Sequence, residues 1–430
     1  MLRLNSRDPG FEKAFRRLVR ERRESDVDVA RDVQLILEDV RNRGDLAVAE
    51  LTRKFDGHIL AADDDWRIHP DDCRAAFDAL KPDLRAALEL AAQRIRAFHE
   101  PQRPADRDYT DAAGVRLGSV WRAVDAAGLY VPGGRAAYPS SLLMNAIPAK
   151  VAGVERLVVV TPTPRGQVNP LVLAAAHLAG VDEIWRIGGA HAVGALAYGT
   201  KRIAAVDVIT GPGNAWVAEA KRQLFGVVGI DMVAGPSEIL VIADGNNNPE
   251  WIAADLLSQA EHDPSAQSIL ITDDARFADN VADQVGVELA LLPTARVASE
   301  SWNTHGVIIE VACLDEAPAL ANALAAEHVE LAVDHPEQLF RAIRHAGSVF
   351  LGRYTPEAIG DYIAGPNHVL PTGRRARFAS GLSVLDFMKR TSFIEVGPDA
   401  LNAIGHAAIA LAEAEGLPAH ARSVAVRLGR

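Results

Sequence analysis

Short apolar runs alternate with helical stretches through most of the chain after Val120, and this alternation restricts the possible folds most. LVVVT (157–161), EIWRI (183–187) and AVDVIT (205–210) each precede a helix-like stretch of ten or more residues. Runs rich in β-branched residues and separated by such helices are typical of parallel strands joined by crossover helices. The pattern predicts a doubly wound parallel sheet.

The same alternation begins again after residue 237. The second set of strand-like runs comprises EILVIAD (238–244), SILIT (268–272), GVIIEV (306–311) and SVFL (348–351). With 430 residues, 49% of them hydrophobic, the chain is long enough for two or more domains. We therefore predict an α/β protein with two Rossmann-like domains and small helical extensions at both ends.

The predicted domain boundaries follow these changes in pattern. Residues 1–25 are charged and are predicted to form a helical arm. Residues 26–125 together with 238–375 are assigned to a first, discontinuous α/β domain, and residues 126–237 to a second one. The tail 376–430 contains two helix-like stretches around a Gly-Leu-Pro break and is too short for a core of its own, so we expect it to dock on another surface.

Charge and composition exclude several classes of function. A net charge of −12 argues against a nucleic-acid partner, because phosphates would be repelled. No apolar run approaches the roughly 18–20 residues that span a bilayer, and the first residues lack the apolar segment of a signal peptide. A soluble cytoplasmic protein is expected. With only Cys73 and Cys313, any metal must be held by nitrogen and oxygen.

The stretch DLLSQAEHDP (255–264) follows an apolar helical pattern and offers two metal-binding side chains. Gln259 and His262 are three residues apart, so they lie about one turn from each other on the same helical face. A carboxamide oxygen and an imidazole nitrogen so placed can bind one cation, with Zn²⁺ as the natural candidate. The spacing is common by chance and does not establish a metal site alone.

Glu327 and His328 follow an Ala-rich helix and lead into a strand-like run. An imidazole beside a carboxylate supplies a base near neutral pH and a second proton acceptor. Adjacent Glu and His residues are equally typical of a solvated surface, so both interpretations remain open here.

Further polar residues that could bind a ligand lie near the end of the chain. Asp361 and His368 occur in IGDYIAGPNHVLPTG, which its glycines and prolines predict to be a loop, and Asp361 offers a hard oxygen ligand. Glu415 and His420 flank the Gly-Leu-Pro break near the carboxyl terminus. A helix cap and a surface histidine are their simpler interpretations.

Glycine-rich turns follow two of the predicted strands. GPGN (211–214) and Gly188-Gly189 each open a helix, where free backbone N–H groups suit a phosphate. The first departs from the G-x-G-x-x-G fingerprint because Trp216 occupies the place of the third glycine. Tight strand-to-helix turns explain these glycines equally well.

Considered together, these segments resemble the histidinol dehydrogenase family, whose members are zinc- and NAD-dependent enzymes that complete histidine biosynthesis. The resemblance covers almost the whole chain, with its motifs in the family's order. The motifs are GLYVPGG (128–134), GPGNAWVAEAKR (211–222), DMVAGPSEILVIAD (231–244), DLLSQAEHD (255–263), AAEH (325–328), GDYIAGPNHVLPT (360–372) and GLPAHARS (416–423).

The resemblance implies a role for each matching residue. It implies an intertwined homodimer, in which the tail of one subunit completes the partner's site. Glu327 and His328 would be the acid/base residues. The implied zinc ligands are Gln259, His262, Asp361 and, from the partner, His420. The residues implied to contact L-histidinol are Ser237, Gln259, His262, Glu327, His328, Asp361, His368, Glu415 and His420. The implied NAD contacts are Tyr130, His191 and Asn214, all within the domain 126–237.

The implied reaction is a four-electron oxidation of L-histidinol to L-histidine through bound L-histidinal, with two molecules of NAD⁺ as acceptors. Two other functions remain open: dehydrogenation of another small polar alcohol and hydrolysis by a zinc enzyme. A non-catalytic scaffold would not need so many ionisable groups that complete one site. Formation of NADH from histidinol separates these alternatives.

One residue departs from the family pattern. Where the family usually has glutamine in GGAQA, this chain has His191. An imidazole cannot offer the paired donor and acceptor of an amide. We therefore predict weaker NAD binding, and a lower KM for NAD⁺ in the variant His191→Gln.

Overall fold

The computed structural model describes residues 1–21, 29–133, 138–233 and 235–429. In chain order its strands are β1 (Leu2–Asn5), β2 (Arg67–Ile68), β3 (Arg107–Thr110), β4 (Arg116–Ala123), β5 (Ala126–Tyr130), β6 (Arg156–Val160), β7 (Glu183–Trp185), β8 (Val208–Thr210), β9 (Gly229–Ile230), β10 (Glu238–Ala243), β11 (Gln267–Thr272), β12 (Val307–Glu310), β13 (His328–Ala332), β14 (Ser348–Leu351) and β15 (Met388–Glu395).

The α-helices are α1 (Phe11–Arg20), α2 (Ala30–Arg43), α3 (Asp45–Asp56), α4 (Asp63–Trp66), α5 (Pro70–Asp78), α6 (Pro82–His99), α7 (Pro139–Ala152), α8 (Pro170–Ala179), α9 (Gly189–Tyr198), α10 (Ala215–Leu224), α11 (Pro249–Ala260), α12 (Ala275–Leu291), α13 (Ala295–His305), α14 (Ala317–Leu324), α15 (Pro336–Phe340), α16 (Glu357–Tyr362), α17 (Pro398–Ala414) and α18 (Pro418–Ala425). Within the described ranges, no helix is long and apolar enough to cross a membrane.

Two six-stranded sheets confirm the predicted pair of α/β units. One has the order β1-β12-β11-β10-β13-β14 and is parallel throughout. The other has the order β2-β7-β6-β5-β8-β9 and is parallel except for β2. In the first sheet, β10 lies near the centre, with β11 and β12 on one side and β13 and β14 on the other. In the second sheet, β5 has the same place, with β6 and β7 on one side and β8 and β9 on the other. Such outward winding in both directions defines a doubly wound fold.

Both faces of each sheet are covered, which explains the continuous apolar runs in the sequence. In β10, Leu240 and Ile242 contact one apolar cluster, while Ile239 and Val241 contact another on the opposite face. Successive side chains of a strand point to opposite faces, so a strand buried on both sides must be apolar at nearly every position.

The packing differs from the predicted division at residues 26–125. Strand β2 pairs with β7, and the helices between residues 30 and 99 pack on α7, α8, α9 and α10. Val33, Leu37 and Val40 line one side of α2 and contact the core of the second sheet. This segment therefore belongs with residues 126–237, because its apolar helix faces are covered there and not on the sheet that starts at residue 238.

The two predicted extensions also include strands. Residues 2–5 form β1 and pair with β12, so the arm is part of the first sheet and not only helical; residues 22–25 of that arm lie outside the described residues. In the tail, β15 pairs with β4 in a separate antiparallel sheet, β15-β4-β3. The helix, break and helix predicted after residue 398 are confirmed as α17 and α18.

Candidate active site

A cavity of about 350 Å³ lies between the two large sheets. The second sheet contributes residues that follow the carboxyl ends of β5 and β8, among them Pro132 and Gly211. The first sheet contributes residues at the amino ends of β10 and β13, among them Ser237 and His328. Only the second sheet therefore uses its switch point, the usual ligand site of such folds.

Glu327 and His328 lie where α14 gives way to β13 and are both buried, so the solvated interpretation is wrong. The Glu238 backbone orients them: its N–H donates to Glu327 Oε2 at 3.0 Å, and its carbonyl oxygen lies 3.2 Å from His328 Nδ1. A carbonyl oxygen only accepts, so Nδ1 carries the hydrogen and Nε2 is left as the basic atom.

Burial changes the acidity of this pair in opposite directions. It raises the pKa of Glu327 well above that of a free carboxyl, and the neighbouring carboxylates of Glu238 and Asp361 add to the rise. It lowers the pKa of His328 to about 3. Desolvation penalises the charged form of either group. Near neutral pH the imidazole is therefore neutral, with an unprotonated Nε2, although the same burial makes it a weaker base than a free imidazole.

Gln259 lies in the last turn of α11, and its side chain is fully enclosed. Its Oε1 is 3.1 Å from His328 Nδ1, which joins the predicted metal-binding helix to the predicted base. His262 is two residues beyond the helix end and is more exposed, but its N–H still bonds to the Gln259 carbonyl at 3.3 Å. Both line the cavity, although His262 is not on the predicted helical face because the helix ends before it.

Asp361 lies in α16 and not in a loop, which corrects the prediction for its segment. The helix begins directly after Pro356 and includes Gly360, one of the glycines on which the loop prediction depended. One turn before Asp361, the helix places Glu357, a buried residue that sequence reasoning missed. Glu357 Oε1 is 3.6 Å from His328 Nε2, and its Oε2 accepts from the Ser258 hydroxyl at 3.2 Å.

Glu357 and Asp361 form a site suited to a cation. One ligand atom each of His328, Glu357 and Asp361 lie within 4.8 Å of one another. Burial raises the pKa of Glu357 to about 8, and the charge of Asp361 adds to the rise. Burial likewise raises the pKa of Asp361 to about 6. A cation held here would favour the ionised carboxylates, which the protein alone disfavours.

His368 faces the same cavity from the segment that follows α16. Its Nδ1 is 2.9 Å from the Asp361 carbonyl oxygen, and its Nε2 is 3.2 Å from the Ser141 hydroxyl. Burial lowers the pKa of this imidazole to about 4. Ser141 belongs to α7 of the other half, so it joins the two sheets across the cavity; no local sequence signal had indicated it.

The GPGN turn is supported by a buried ion pair. Lys221 and Asp231 pair with each other, and Lys221 Nζ donates to the Gly211 carbonyl at 3.0 Å while Asp231 Oδ2 accepts the Gly211 N–H at 2.8 Å. Gly211 has φ +112°, and a Cβ there would overlap the Tyr130 carbonyl oxygen. The glycine is thus required by the turn. Asn214 caps α10 through Oδ1 and lines the cavity.

Tyr130 and His191 are both buried, and neither is among the residues that line the cavity. The Tyr130 hydroxyl accepts the Gly189 N–H at 3.0 Å, and burial raises its pKa to about 12. The His191 ring faces α3, where its Nε2 is 3.1 Å from the Thr52 hydroxyl and its ring stacks on Phe55. Both side chains therefore make structural contacts around the first turn of α9.

The buried imidazole of His191 gives a pH-dependent stability. Burial lowers its pKa to about 3, against 6.5 for the free group. As the pH falls below about 6.5, the unfolded chain binds a proton that the folded chain excludes, so stability is lost on acidification. We expect His191→Gln to reduce the slope of unfolding free energy between pH 6 and 4 by about 1.4 kcal/mol per pH unit. Urea unfolding at several pH values measures that slope. The exposed His335→Gln variant is the control, and an unchanged slope in His191→Gln would refute the prediction.

Comparison with known proteins identifies the family. The model of the histidinol dehydrogenase family matches residues 19–428. The chain is 63% identical to the histidinol dehydrogenase of Zymomonas mobilis over the full length of both chains. It is 61% identical to that of Rhodospirillum rubrum, covering 100% of this chain and 99% of the relative. The chain belongs to the histidinol dehydrogenase family. It is therefore an oxidoreductase.

The fold agrees with this family assignment. The crystal structure of histidinol dehydrogenase from Elizabethkingia anophelis superposes with a TM-score of 0.94 at 37% identity, covering 100% of this chain and 98% of the other. The two-sheet architecture around the cavity is thus that of a histidinol dehydrogenase.

Four of the residues assigned from the family resemblance are not among those that line the cavity: Tyr130, His191, Glu415 and His420. Glu415 ends α17, His420 lies in α18, and both are exposed. The cavity therefore brings together Ser237, Gln259, His262, Glu327, His328, Asp361, His368 and Asn214.

Proposed function

We propose that this chain oxidises L-histidinol to L-histidine through bound L-histidinal, the last step of histidine biosynthesis, with NAD⁺ as acceptor. One observation carries the proposal: a neutral buried imidazole, a buried carboxyl and the side chains of the Gln259 helix and α16 converge on one cavity between two sheets. Family membership supports the substrate.

Gln259, His262 and Asp361 are proposed to hold zinc, with His420 of a second subunit as the fourth ligand. The donor set fits, because an amide oxygen, an imidazole and a carboxylate satisfy zinc without thiolates. When bound, zinc would act as a Lewis acid that fixes the amine and imidazole of L-histidinol. The group formed by His328, Glu357 and Asp361 shares only Asp361 with this set. We do not assign His328 as a zinc ligand, because its proposed role as base requires an unligated Nε2.

His328 is proposed to accept the hydroxyl proton of L-histidinol at Nε2 while NAD⁺ takes hydride from the same carbon. Its Nδ1–H is held by Glu238 and Gln259, so the lone pair of Nε2 has one fixed direction. A positioned base with a fixed tautomer loses little orientational freedom in the transition state. Ser237 and His368 would orient the substrate.

Glu327 is proposed to act in the second half of the reaction. Its Oε2 is anchored by the Glu238 N–H, and the residue lines the cavity. When ionised, it can remove a proton from a water molecule that attacks the aldehyde; the hydrate then gives up the second hydride. Enclosure of the aldehyde between the sheets limits its escape.

The NAD⁺ site is proposed to lie on the second sheet, near the carboxyl ends of β5 and β8, with contacts from Tyr130, His191 and Asn214. The proposal rests on the family resemblance and on Gly211, Gly213 and Asn214, which line the cavity at the start of α10. The predicted fall in KM for NAD⁺ in His191→Gln tests whether position 191 contacts the cofactor. The test is needed because the imidazole itself contacts Thr52 and Phe55. A KM that is unchanged or higher would contradict a cofactor contact at this position.

We also propose that the active form is a homodimer in the cytoplasm. Glu415 and His420 are exposed within one chain, and the tail carries further exposed apolar residues, including Leu411 and Leu417. A second subunit that received this tail would cover them and gain two site residues. Mixing inactive His262→Ala chains with inactive His420→Ala chains should restore part of the activity, since some mixed dimers would contain one intact site.

The experiment that tests the function counts the NADH formed per L-histidinol consumed. Two NADH per histidinol, abolished by a chelator and restored by Zn²⁺, supports the four-electron oxidation. One NADH per histidinol would indicate an alcohol dehydrogenase that stops at the aldehyde. No NADH with histidinol, but turnover in a panel of other small polar alcohols or amides, would replace the proposed substrate.

A further inference from the structure

Glu238 determines the position of both proposed acid/base residues through its backbone alone. Its N–H bonds to Glu327 Oε2 at 3.0 Å, and its carbonyl oxygen lies 3.2 Å from His328 Nδ1. The pairing of the two strands also holds these residues together, since Ile239 of β10 lies opposite His328 of β13. Any shift of the first residue of β10 therefore moves a carboxylate and an imidazole together.

The side chain of Glu238 is in turn held by Arg374. Arg374 Nη1 is 3.1 Å from Glu238 Oε1, and both side chains are 1% exposed. Arg374 Nη2 donates to Gln267 Oε1 at 2.7 Å. Glu238 and Gln267 are register partners at the starts of β10 and β11. One guanidinium thus joins the first residues of two adjacent strands, a geometry that its planar array of donors allows.

The backbone of Arg374 adds a second, independent observation. Its φ is +67°, in the left-handed region that a residue with a Cβ seldom adopts. Strained backbone of this kind persists only where surrounding contacts enforce it, and it is concentrated near functional sites. Burial of an ion pair is also a weak source of stability compared with apolar packing. Stability alone is therefore a poor explanation for this arrangement.

Residues next to Arg374 in the chain bind the segment that precedes β10. The Thr372 hydroxyl accepts the Gly235 N–H at 2.5 Å, and Arg375 Nη1 donates to the Val233 carbonyl at 2.8 Å. The turn 372–375 therefore holds the chain on the approach to β10, including Ser237 at the cavity. These contacts fix where β10 begins.

We infer that Arg374 is a positioning residue: through Glu238 it sets the geometry of Glu327 and His328 without touching the substrate. The inference rests on the proposed roles of that pair. Because misplacement of a catalytic group by about 1 Å can cost about 10²-fold in rate, we expect Arg374→Met to lower kcat by about 10²-fold. The KM for NAD⁺ and the zinc content should stay near those of the unchanged protein, since neither proposed site contacts Arg374.

Arg353→Met is the matched control. Arg353 pairs with Asp244 and Asp334, which follow the carboxyl ends of β10 and β13, the end of these strands opposite to Glu327 and His328. It should leave kcat nearly unchanged. Arg374→Lys should recover only part of the rate, because a single ammonium cannot reproduce the two-sided contact with Glu238 and Gln267. Should Arg374→Met fail to fold, Arg374→Lys and Gln267→Met carry the test, and wild-type kcat in both would overturn the inference.

Combination with His328→Asn decides whether Arg374 acts through the pair. If it does, Arg374→Met should slow the His328→Asn protein far less than it slows the unchanged protein, because residues that act as a unit are non-additive. Full multiplicative slowing would overturn the inference, as would an Arg374→Met kcat equal to that of Arg353→Met. Wild-type rates in both Glu327→Gln and His328→Asn would instead refute the proposed roles of the pair.

Discussion

Replacement of His262 by alanine is expected to remove tight zinc binding and to lower NADH formation from L-histidinol by about 10³-fold, since a Lewis acid contributes several kcal/mol to the transition state. His262 lies just beyond α11 and lines the same cavity as Gln259 and Asp361. Its loss would leave two oxygen ligands in this chain and no imidazole among them. Zinc content after dialysis and steady-state rates measure the two effects.

His335→Ala is the control for this prediction, because His335 is exposed at the start of α15 and does not line the cavity. Retention of zinc and activity by His262→Ala would remove His262 from the ligand set. Loss of zinc with full activity would show that the metal is structural or adventitious.

Replacement of Glu327 by glutamine is expected to separate the two oxidation steps. Glutamine keeps the shape of the side chain and can still accept the Glu238 N–H, but it cannot take a proton from water. We expect oxidation of L-histidinal to slow by about 10²-fold to 10⁴-fold. The yield of NADH per L-histidinol should fall from two toward one, with aldehyde released. A carbonyl trapping reagent detects that aldehyde, and L-histidinal supplied directly measures the second step.

Glu330→Gln is the matched control for Glu327→Gln. Glu330 is a buried carboxyl two residues further along β13, and it does not line the cavity. Burial and the nearby Asp255 raise its pKa, so it shares the electrostatic setting of Glu327 but not its position. Equal effects of the two substitutions would indicate a general loss of stability. A Glu327→Gln protein that still makes two NADH at the normal rate would contradict the assigned role.

Local sequence patterns were sufficient for several of the strands that flank the site. Runs such as EILVIAD form strands because both faces of each sheet are buried, and a strand buried on both faces is apolar throughout. Gln259 and His262 both line the cavity, although His262 lies two residues beyond the end of α11. Their three-residue spacing was therefore a useful signal even though only Gln259 is helical. The resemblance to the family supplied the roles of these residues, which neither spacing nor composition contains.

Some local patterns were interpreted wrongly. The glycines and prolines of residues 359–373 indicated a loop, whereas Asp361 lies in a short helix that begins after Pro356 and places Glu357 one turn before it. Glutamate followed by aspartate four residues later is a signal for one helical face, and it was available in the sequence. Residues 26–125 were assigned to the wrong sheet, because an amphipathic helix shows that one face is buried but not which surface covers it.

The sequence by itself determined the two sets of strands and helices and the residue types available for acid/base and metal chemistry. Tertiary structure decided that the cavity joins the carboxyl ends of one sheet to the amino ends of the other, and that Arg374 reaches Glu238 across 136 positions of chain. It also decided that His191 faces Thr52. The physical reason is range: helical and strand periods depend on near neighbours, whereas the environment of a buried charge depends on which distant segments pack against it.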